Sequence, residues 1–369
     1  MNFEELNLHP TLQAGITACG YQTPTPIQEQ AIPTALLGRD LMGLAQTGTG
    51  KTAAFVLPLL HQLLALPRGK VQALVVAPTR ELAEQIHIEI GKLGKNTGLR
   101  SVSVYGGVSK QGQLKAFRAG VEIVVACPGR LLDHLGERAV NLSQVKHLVL
   151  DEADHMFDMG FLPTIRKILQ HLPKQRQTLL FSATMPAEIR RLAGEILTDP
   201  ATVQVARQAP TATVAHVLYQ VEQPGKAALL RDLMQQAEIS SALIFTRTKH
   251  KARSLATQLS KAGHSATSLQ GNLSQSQRTR AMSGFKEGRF KIMVATDIAA
   301  RGIDVSAISH VINYDMPDSV EAYIHRTGRT GRAASSGTAF TLAGREDGPM
   351  ISRIEKSLGQ PMLRKPSAG

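Results

Sequence analysis

Two cysteines in 369 residues, Cys19 and Cys127, are too few for a disulfide framework, and the twelve histidines fall into no metal-ligand spacing with them. Disulfide-stapled scaffolds are therefore excluded, and a reducing, cytoplasmic compartment is expected. No run of 18 or more apolar residues occurs, so no segment reads as a transmembrane helix. The opening stretch MNFEELNLHP has no basic patch leading into an apolar one, and no export signal is expected from it. Low-complexity tracts are missing as well. These absences leave a chain expected to be neither membrane-bound nor secreted.

What is present suffices for two cores, since 369 residues exceed one ordinary hydrophobic core. The net charge of +13 is unevenly spread: residues 1–206 hold 20 Lys/Arg against 17 Asp/Glu, and residues 207–369 hold 22 against 12. Charge alone is compatible with a solvated basic face as well as with a polyanionic partner such as nucleic acid.

Short apolar runs alternate with longer amphipathic ones. In the first half these runs are ALVVAPT (73–79), EIVVACPG (122–129), HLVLDEAD (147–154) and TLLFSAT (178–184). Each is apolar on successive residues and ends in small or polar ones, as parallel strands buried on both faces do when functional loops follow their carboxyl ends. The intervening RELAEQIHIEIGKL has a helical period, so the pattern predicts a doubly wound α/β sheet. VARQAPTATVAH (205–216) lacks periodicity and reads as linker, with the tightest estimate at 207–213. After it the pattern restarts with SALIFTRT, KIMVATD, HVINYD and GTAFTLAG, which predicts a second, similar lobe over 214–369 beside a first over 1–206. The tail after Gly344 reads as one helix, ISRIEKSLG, and a loose basic end.

Two stretches carry chemistry. AQTGTGKT (45–52) lies between a strand-like DLMGL and the helical TAAFVLPLLHQLL. Backbone N–H groups around Thr47, Gly48, Thr49 and Gly50 can turn inward on phosphates, Lys51 can reach the β and γ oxygens, and Thr52 can hold Mg²⁺. Ala45 stands where a phosphate-binding loop ordinarily has its first glycine. KHLVLDEADHMFDMGF (146–161) ends an apolar run in three carboxylates within four residues, Asp151, Glu152 and Asp154. Like charges so close call for a cation. A Mg²⁺–triphosphate site supplies one, with Asp151 as metal holder and Glu152 placed to orient or deprotonate the attacking water.

The letters DEAD at 151–154, with AQTGTGKT upstream, resemble the DEAD-box branch of the superfamily 2 helicases, and the likeness runs in order over nearly the whole chain. The DMGF that follows most resembles the bacterial RhlE-like group. GYQTPTPIQ (20–28) is similar to the family's Q motif, in which Gln28 would read the adenine edge and Tyr21 would stack on its ring. The strand-end loops holding Pro78, Thr79 and Arg80, Gly106 and Gly107, and Pro128, Gly129 and Arg130 match those that contact RNA in the family. Ser182 and Thr184 match the hydroxyls that bond the DEAD carboxylates, with Asp154 as partner, and couple hydrolysis to strand separation. LIFTRTK, QGNLSQSQR, VATDIAARGID and YIHRTGRTGR resemble the later helicase motifs, which implies RNA contacts for Arg247, Gly271, Gln275, Arg278 and Thr296. Asp304 matches the ribose-binding residue, Arg329 and Arg332 match the arginine fingers, and His325 matches the histidine that bridges toward the SAT region.

The resemblance implies two tandem RecA-like domains, each a mostly parallel sheet with helices on both faces. No second phosphate-binding loop follows residue 207, so one ATP site shared by the two lobes is expected. The implied activity is an ATP- and Mg²⁺-dependent RNA helicase, a hydrolase that binds single-stranded RNA and short duplexes, bends them and opens them locally, acting as a monomer. Two alternatives keep the fold: an ATP-gated RNA clamp or scaffold with little unwinding, and a DNA-directed helicase. Three positions depart from the family pattern. Cys127 replaces a threonine before PGR, Gln270 stands where histidine is common, and Thr327 where a branched apolar residue is common.

Overall fold

Parallel strands buried on both faces need an apolar residue at every position, and the central runs named above supply it. The computed structural model describes residues 2–45, 48–205, 214–235, 239–300, 308–331 and 337–366. It divides into two units, Met1–Arg207 and Gln208–Gly369. The expected linker, 207–213, lies outside the described residues.

The first unit holds β1 (Leu41–Leu44), β2 (Ala73–Val76), β3 (Ser101–Val104), β4 (Ile123–Ala126), β5 (His147–Leu150), β6 (Gln177–Ser182) and β7 (Ala201–Gln204). They form one parallel sheet in the order β3-β4-β2-β5-β6-β1-β7. Successive strand residues point to opposite faces. Val75, Val125, Val149 and Phe181 accordingly enter one core, while Leu74, Val76, Val124, Leu148 and Leu150 enter the other.

The second unit holds β8 (Val214–Gln220), β9 (Ala242–Phe245), β10 (Ala266–Leu269), β11 (Ile292–Ala295), β12 (His310–Asn313), β13 (Gly337–Ala343) and β14 (Leu363–Pro366). Their order, β10-β11-β9-β12-β13-β8-β14, repeats that of the first sheet, strand for strand. Ile244, Val294 and Ile312 face one core, and Leu243, Met293 and Val311 the other.

Two readings of the sequence are corrected here. Val214–His216, the end of the non-periodic stretch 205–216 but within the expected second lobe, begin β8, where they pair with β13. The tail is not loose: Leu363–Pro366 pair with β8 as an exposed edge strand, a place where a lysine and a proline are well tolerated.

Because every strand runs the same way, all carboxyl ends meet at one edge of each sheet. In the first unit the order sorts the loops. β5, β6 and β1, which are adjacent, lead into DEAD, SAT and the phosphate loop. β3, β4 and β2, also adjacent, lead into the GG, PGR and PTR loops. Asp40, just before β1, fastens the opposite edge by accepting from Thr178 N at 2.7 Å and Thr198 N at 2.6 Å.

One buried group makes the second unit sensitive to acid. His216 Nδ1 lies 2.8 Å from the Tyr323 hydroxyl, its Nε2 is buried without a hydrogen-bond partner among the described residues, and burial depresses its pKa to about 4. The unfolded chain takes up this proton near pH 6.5 and the folded one does not, so the contribution is complete above pH 7 and is lost as pH falls toward 4. Between pH 7 and pH 5 the loss is on the order of 2 kcal/mol at 1.36 kcal/mol per unit. Thermal unfolding at the two pH values, compared for wild type and His216→Phe, checks this: the variant should lose less stability on acidification, and an identical loss would contradict it.

Candidate nucleotide and RNA site

β1 hands the chain to Gly48 and Gly50, whose φ angles of 88° and 90° place them in the left-handed region that glycine tolerates. Gly50 caps the helix Lys51–Leu63. Thr49 and Thr52 accompany them, while Thr47 lies outside the described residues. Gln28 sits on the helix Pro26–Leu36 and is 3% exposed. Its Oε1 accepts from Thr25 N at 2.9 Å and its Nε2 donates to Gly50 O at 3.1 Å. A Cβ on Gly50 would stand 2.6 Å from that Nε2. The residue expected to read adenine is thus tied to the loop expected to hold phosphate. An amide has a second N–H and a second lone pair, which suits a base edge. Tyr21 stacks on Phe3, with centroids 5.9 Å apart, and its hydroxyl donates to Glu89 Oε1 at 2.6 Å. Burial and this carboxylate push the phenol well above its ordinary pKa.

Lys51 is 6% exposed and its Nζ has no hydrogen-bond partner among the described residues. An ammonium buried without hydrogen bonds is costly, and phosphate oxygens would offset that cost. Asp151 is fully enclosed, and its carboxyl is raised above the ordinary range by burial, opposed by Lys51 and assisted by Glu152. Its Oδ1 accepts from Glu152 N at 2.9 Å. Glu152 itself holds φ 53° and ψ 54°, a left-handed conformation that costs a non-glycine residue about 1–2 kcal/mol. Asp154 is saturated by comparison. Its Oδ1 accepts from His155 N at 3.0 Å, and its Oδ2 from Thr184 N and Thr184 Oγ1, each at 2.9 Å. Ser182 Oγ donates to Thr184 O at 2.7 Å and accepts from Asp154 N at 3.2 Å. The three residues expected to couple hydrolysis to opening therefore share one network across β5 and β6.

These residues fit a triphosphate and Mg²⁺. The orphaned Lys51 Nζ and the left-handed glycines suit phosphate oxygens, and Asp151 with Thr52 gives hard oxygen donors. Among the described residues no cluster of three or more His, Cys, Asp or Glu could hold a metal ion.

On the other half of the same edge, Thr79 caps the helix Arg80–Leu93 by accepting from Leu82 N at 3.3 Å. A Cβ on Gly107, whose φ is 80°, would overlap the Arg80 guanidinium, and one on Gly106 would lie 3.7 Å from Arg80 Nη2 and 3.9 Å from Arg130 Nη2. Two cations thus flank the glycine pair. Pro128 opens the helix Pro128–Gly136, Gly129 has open space where a Cβ would be, and Cys127 caps it without a side-chain bond. Burial pushes the Cys127 thiol up to about 12, so it stays neutral and inert. Arg130, expected to contact RNA phosphate, is also bonded within the unit. It is 11% exposed in its side chain, and Nη1 donates to Val108 O at 3.2 Å and Gln113 Oε1 at 3.3 Å, so it also pins the GG loop.

In the second unit, Arg247, Gly271 and Thr296 follow β9, β10 and β11, which occupy the sheet positions of β2, β3 and β4. Arg247 is exposed, Gly271 is open, and the Thr296 carbonyl accepts from Ala299 and Ala300. Gln275 opens the helix Gln275–Lys286, on which Arg278 donates to Ala299 O at 3.5 Å. His325 and Arg329 line a small hollow with Phe245, Asp297 and Arg326. Asp304 and Arg332 lie outside the described residues. Arg326, which the sequence reading passed over, is 3% exposed, pairs both ways with Asp297 at 2.6 Å, and lies 5.0 Å over the Phe245 ring. Thr327, one of the departures, satisfies its buried hydroxyl on Tyr323 O at 3.0 Å, and Gln270 accepts from Asn272 N at 2.6 Å.

A family profile described as DEAD/DEAH box helicase matches residues 25–192, and one described as helicase conserved C-terminal domain matches residues 225–334. Similar curated proteins include the DEAD-box ATP-dependent RNA helicase CshA of Bacillus subtilis, 40% identical over 99% of this chain and 74% of its own length. RNA helicase CrhR of Synechocystis is 44% identical over 97% of this chain and 73% of its own. Among solved structures, S. cerevisiae Dbp5 bound to RNA and ADP BeF3 is 33% identical, with a TM-score of 0.89, covering 100% of this chain and 96% of that one. The chain belongs to the DEAD-box ATP-dependent RNA helicase family.

Lys51→Met tests the phosphate-binding assignment. Turnover should fall by at least about 10²-fold, while the nucleotide-free chain should melt higher, because a buried ammonium with no hydrogen-bond partner among the described residues is exchanged for an apolar side chain. Retained turnover would remove the assignment, and a lower melting temperature would mean that the ammonium is already compensated.

Proposed function

We propose that this chain is an RNA-dependent ATPase that uses ATP to bind, bend and locally open RNA duplexes. The observation that carries the reading is the sorting of one sheet edge into a half bearing the phosphate loop, DEAD and SAT and an adjoining half bearing the PTR, GG and PGR loops. In this reading Gln28, Tyr21 and Asp304 select and hold the adenosine, the backbone from Thr47 to Gly50 cradles phosphates, and Lys51 neutralises their charge. Mg²⁺, held by Thr52 and Asp151, would supply Lewis-acid neutralisation of the phosphate oxygens. Glu152 orients the water and takes its proton, Arg329 and Arg332 act as fingers that neutralise charge at the γ-phosphate, and His325 serves the same step. Asp154, Ser182 and Thr184 carry the state of the nucleotide to the neighbouring loops. Pro78, Thr79, Arg80, Gly106, Gly107, Pro128, Gly129, Arg130, Arg247, Gly271, Gln275, Arg278 and Thr296 contact RNA. No helix among the described residues is long and apolar enough to cross a membrane, and the free thiols of Cys19 and Cys127 suit a reducing cytoplasm.

The test is unwinding of a short RNA duplex with and without ATP. ATP should be required, and Glu152→Gln should lower turnover by about 10²-fold or more while RNA binding persists. RNA affinity should fall with salt at a slope of about −0.7 per phosphate neutralised. Strand separation that ignored ATP, or a salt-independent affinity, would overturn the proposal.

A further inference from the structure

His155 follows the DEAD letters directly and lies on the first turn of the helix Ala153–Asp158, three residues beyond Glu152. That spacing brings the two side chains to one face of the turn. His155 Nδ1 is 2.9 Å from Glu152 Oε2, and the two side chains are 7% and 10% exposed. A carboxylate oxygen accepts, so the proton of this bond belongs to Nδ1. Nε2 is buried and has no hydrogen-bond partner among the described residues. The imidazole thus spends its one bonded nitrogen on the carboxylate proposed to orient the attacking water.

The backbone beneath that carboxylate is strained, and a glutamate has three side-chain torsions through which to lose its aim. Glu152 N is held by Asp151 Oδ1, which fixes the peptide but not the carboxylate. A bond to Oε2 fixes the rotation about Cγ–Cδ, and with it the plane in which Oε1 points. Catalysis by a positioned base depends steeply on such aim: a displacement of about 1 Å can cost about 10²-fold.

We propose that His155 is a positioning residue for ATP hydrolysis, holding the Glu152 carboxylate in the orientation that directs the attacking water. The inference rests on the water-orienting role proposed for Glu152. In the step concerned, the water oxygen bonds to the γ-phosphorus, and the bond from that phosphorus to the bridging oxygen breaks with its electrons remaining on ADP. The water proton passes to Glu152, and His155 neither gains nor loses a proton.

Asparagine places an N–H donor where Nδ1 stands, glutamine carries its amide one bond farther, and leucine fills the space without a donor. In the full chain, His155→Leu should lower RNA-stimulated kcat by about 10-fold or more, with KM for ATP and RNA affinity within about twofold of wild type. His155→Asn should bring kcat back to within about threefold, and His155→Gln should not. Combining His155→Leu with Glu152→Gln should be no slower than Glu152→Gln alone, because both act through one carboxylate. Wild-type kcat in His155→Leu, while Glu152→Gln is inactive, would overturn the positioning role and leave Glu152 in place. Wild-type kcat in Glu152→Gln would instead remove the role of Glu152 and the proposal with it. If leucine and asparagine both lowered kcat, ATP affinity, RNA affinity and melting temperature together, His155 would be a fold residue and the proposal would fail.

Discussion

A parallel sheet covered on both faces leaves a chain only its strand ends for polar chemistry. Val75 and Val76 go to opposite cores, as do Val124 and Val125, so neither face can carry a charge without burying it unpaired. The carboxyl-end loops take the whole load, and which loops become neighbours is set by strand order. The order β3-β4-β2-β5-β6-β1 puts the three loops of the nucleotide half side by side and the three loops of the RNA half beside them. The second unit repeats the order, and its loops after β9, β10 and β11 again carry the residues that match RNA contacts.

The two halves differ in which groups the protein leaves unsatisfied. The proposed nucleotide half holds an ammonium with no hydrogen-bond partner among the described residues, a buried carboxyl pushed up by desolvation, and a glutamate in left-handed backbone. Each is a cost that the apolar scaffold underneath offsets. In the proposed RNA half Arg130 Nη1 is bonded to Val108 and Gln113, its Nε has no hydrogen-bond partner among the described residues, and Arg80 is seated over Gly107. Ser182 and Thr184 follow β6, between Lys51's loop and the DEAD turn that holds Asp154, and the network closed by these three gives a strained site a satisfied neighbour. A ligand that compensates Lys51 and Asp151 acts on the proposed nucleotide half.

The central strands were legible because double burial demands continuous apolar runs: ALVV, IVVA, HLVL, ALIF and IMVA all became strands at those residues. The edges were not. SVSV and ATSL are half-exposed, carry no such run, and became β3 and β10. LRKP is exposed throughout and pairs only because β8 offers it an edge. In the site, spacing and loop composition exposed Lys51, Asp151 and Glu152, and the family resemblance exposed the SAT hydroxyls, but neither exposed side-chain contacts made by folding. Nothing in the letters tells that His155 turns back on Glu152, that Gln28 ties itself to Gly50, or that Glu89 holds Tyr21. Arg326 stands three residues before Arg329 in the sequence, and only burial against Asp297 separates its role from that of Arg329.

In the proposed function, nucleotide chemistry and RNA binding are coupled through this shared edge. Steady-state ATP hydrolysis measured with no polymer, with single-stranded RNA and with DNA of the same sequence tests it most directly. Strong stimulation by RNA and little by DNA is the outcome the account predicts. Hydrolysis that RNA leaves unchanged, or that DNA stimulates equally, would contradict it.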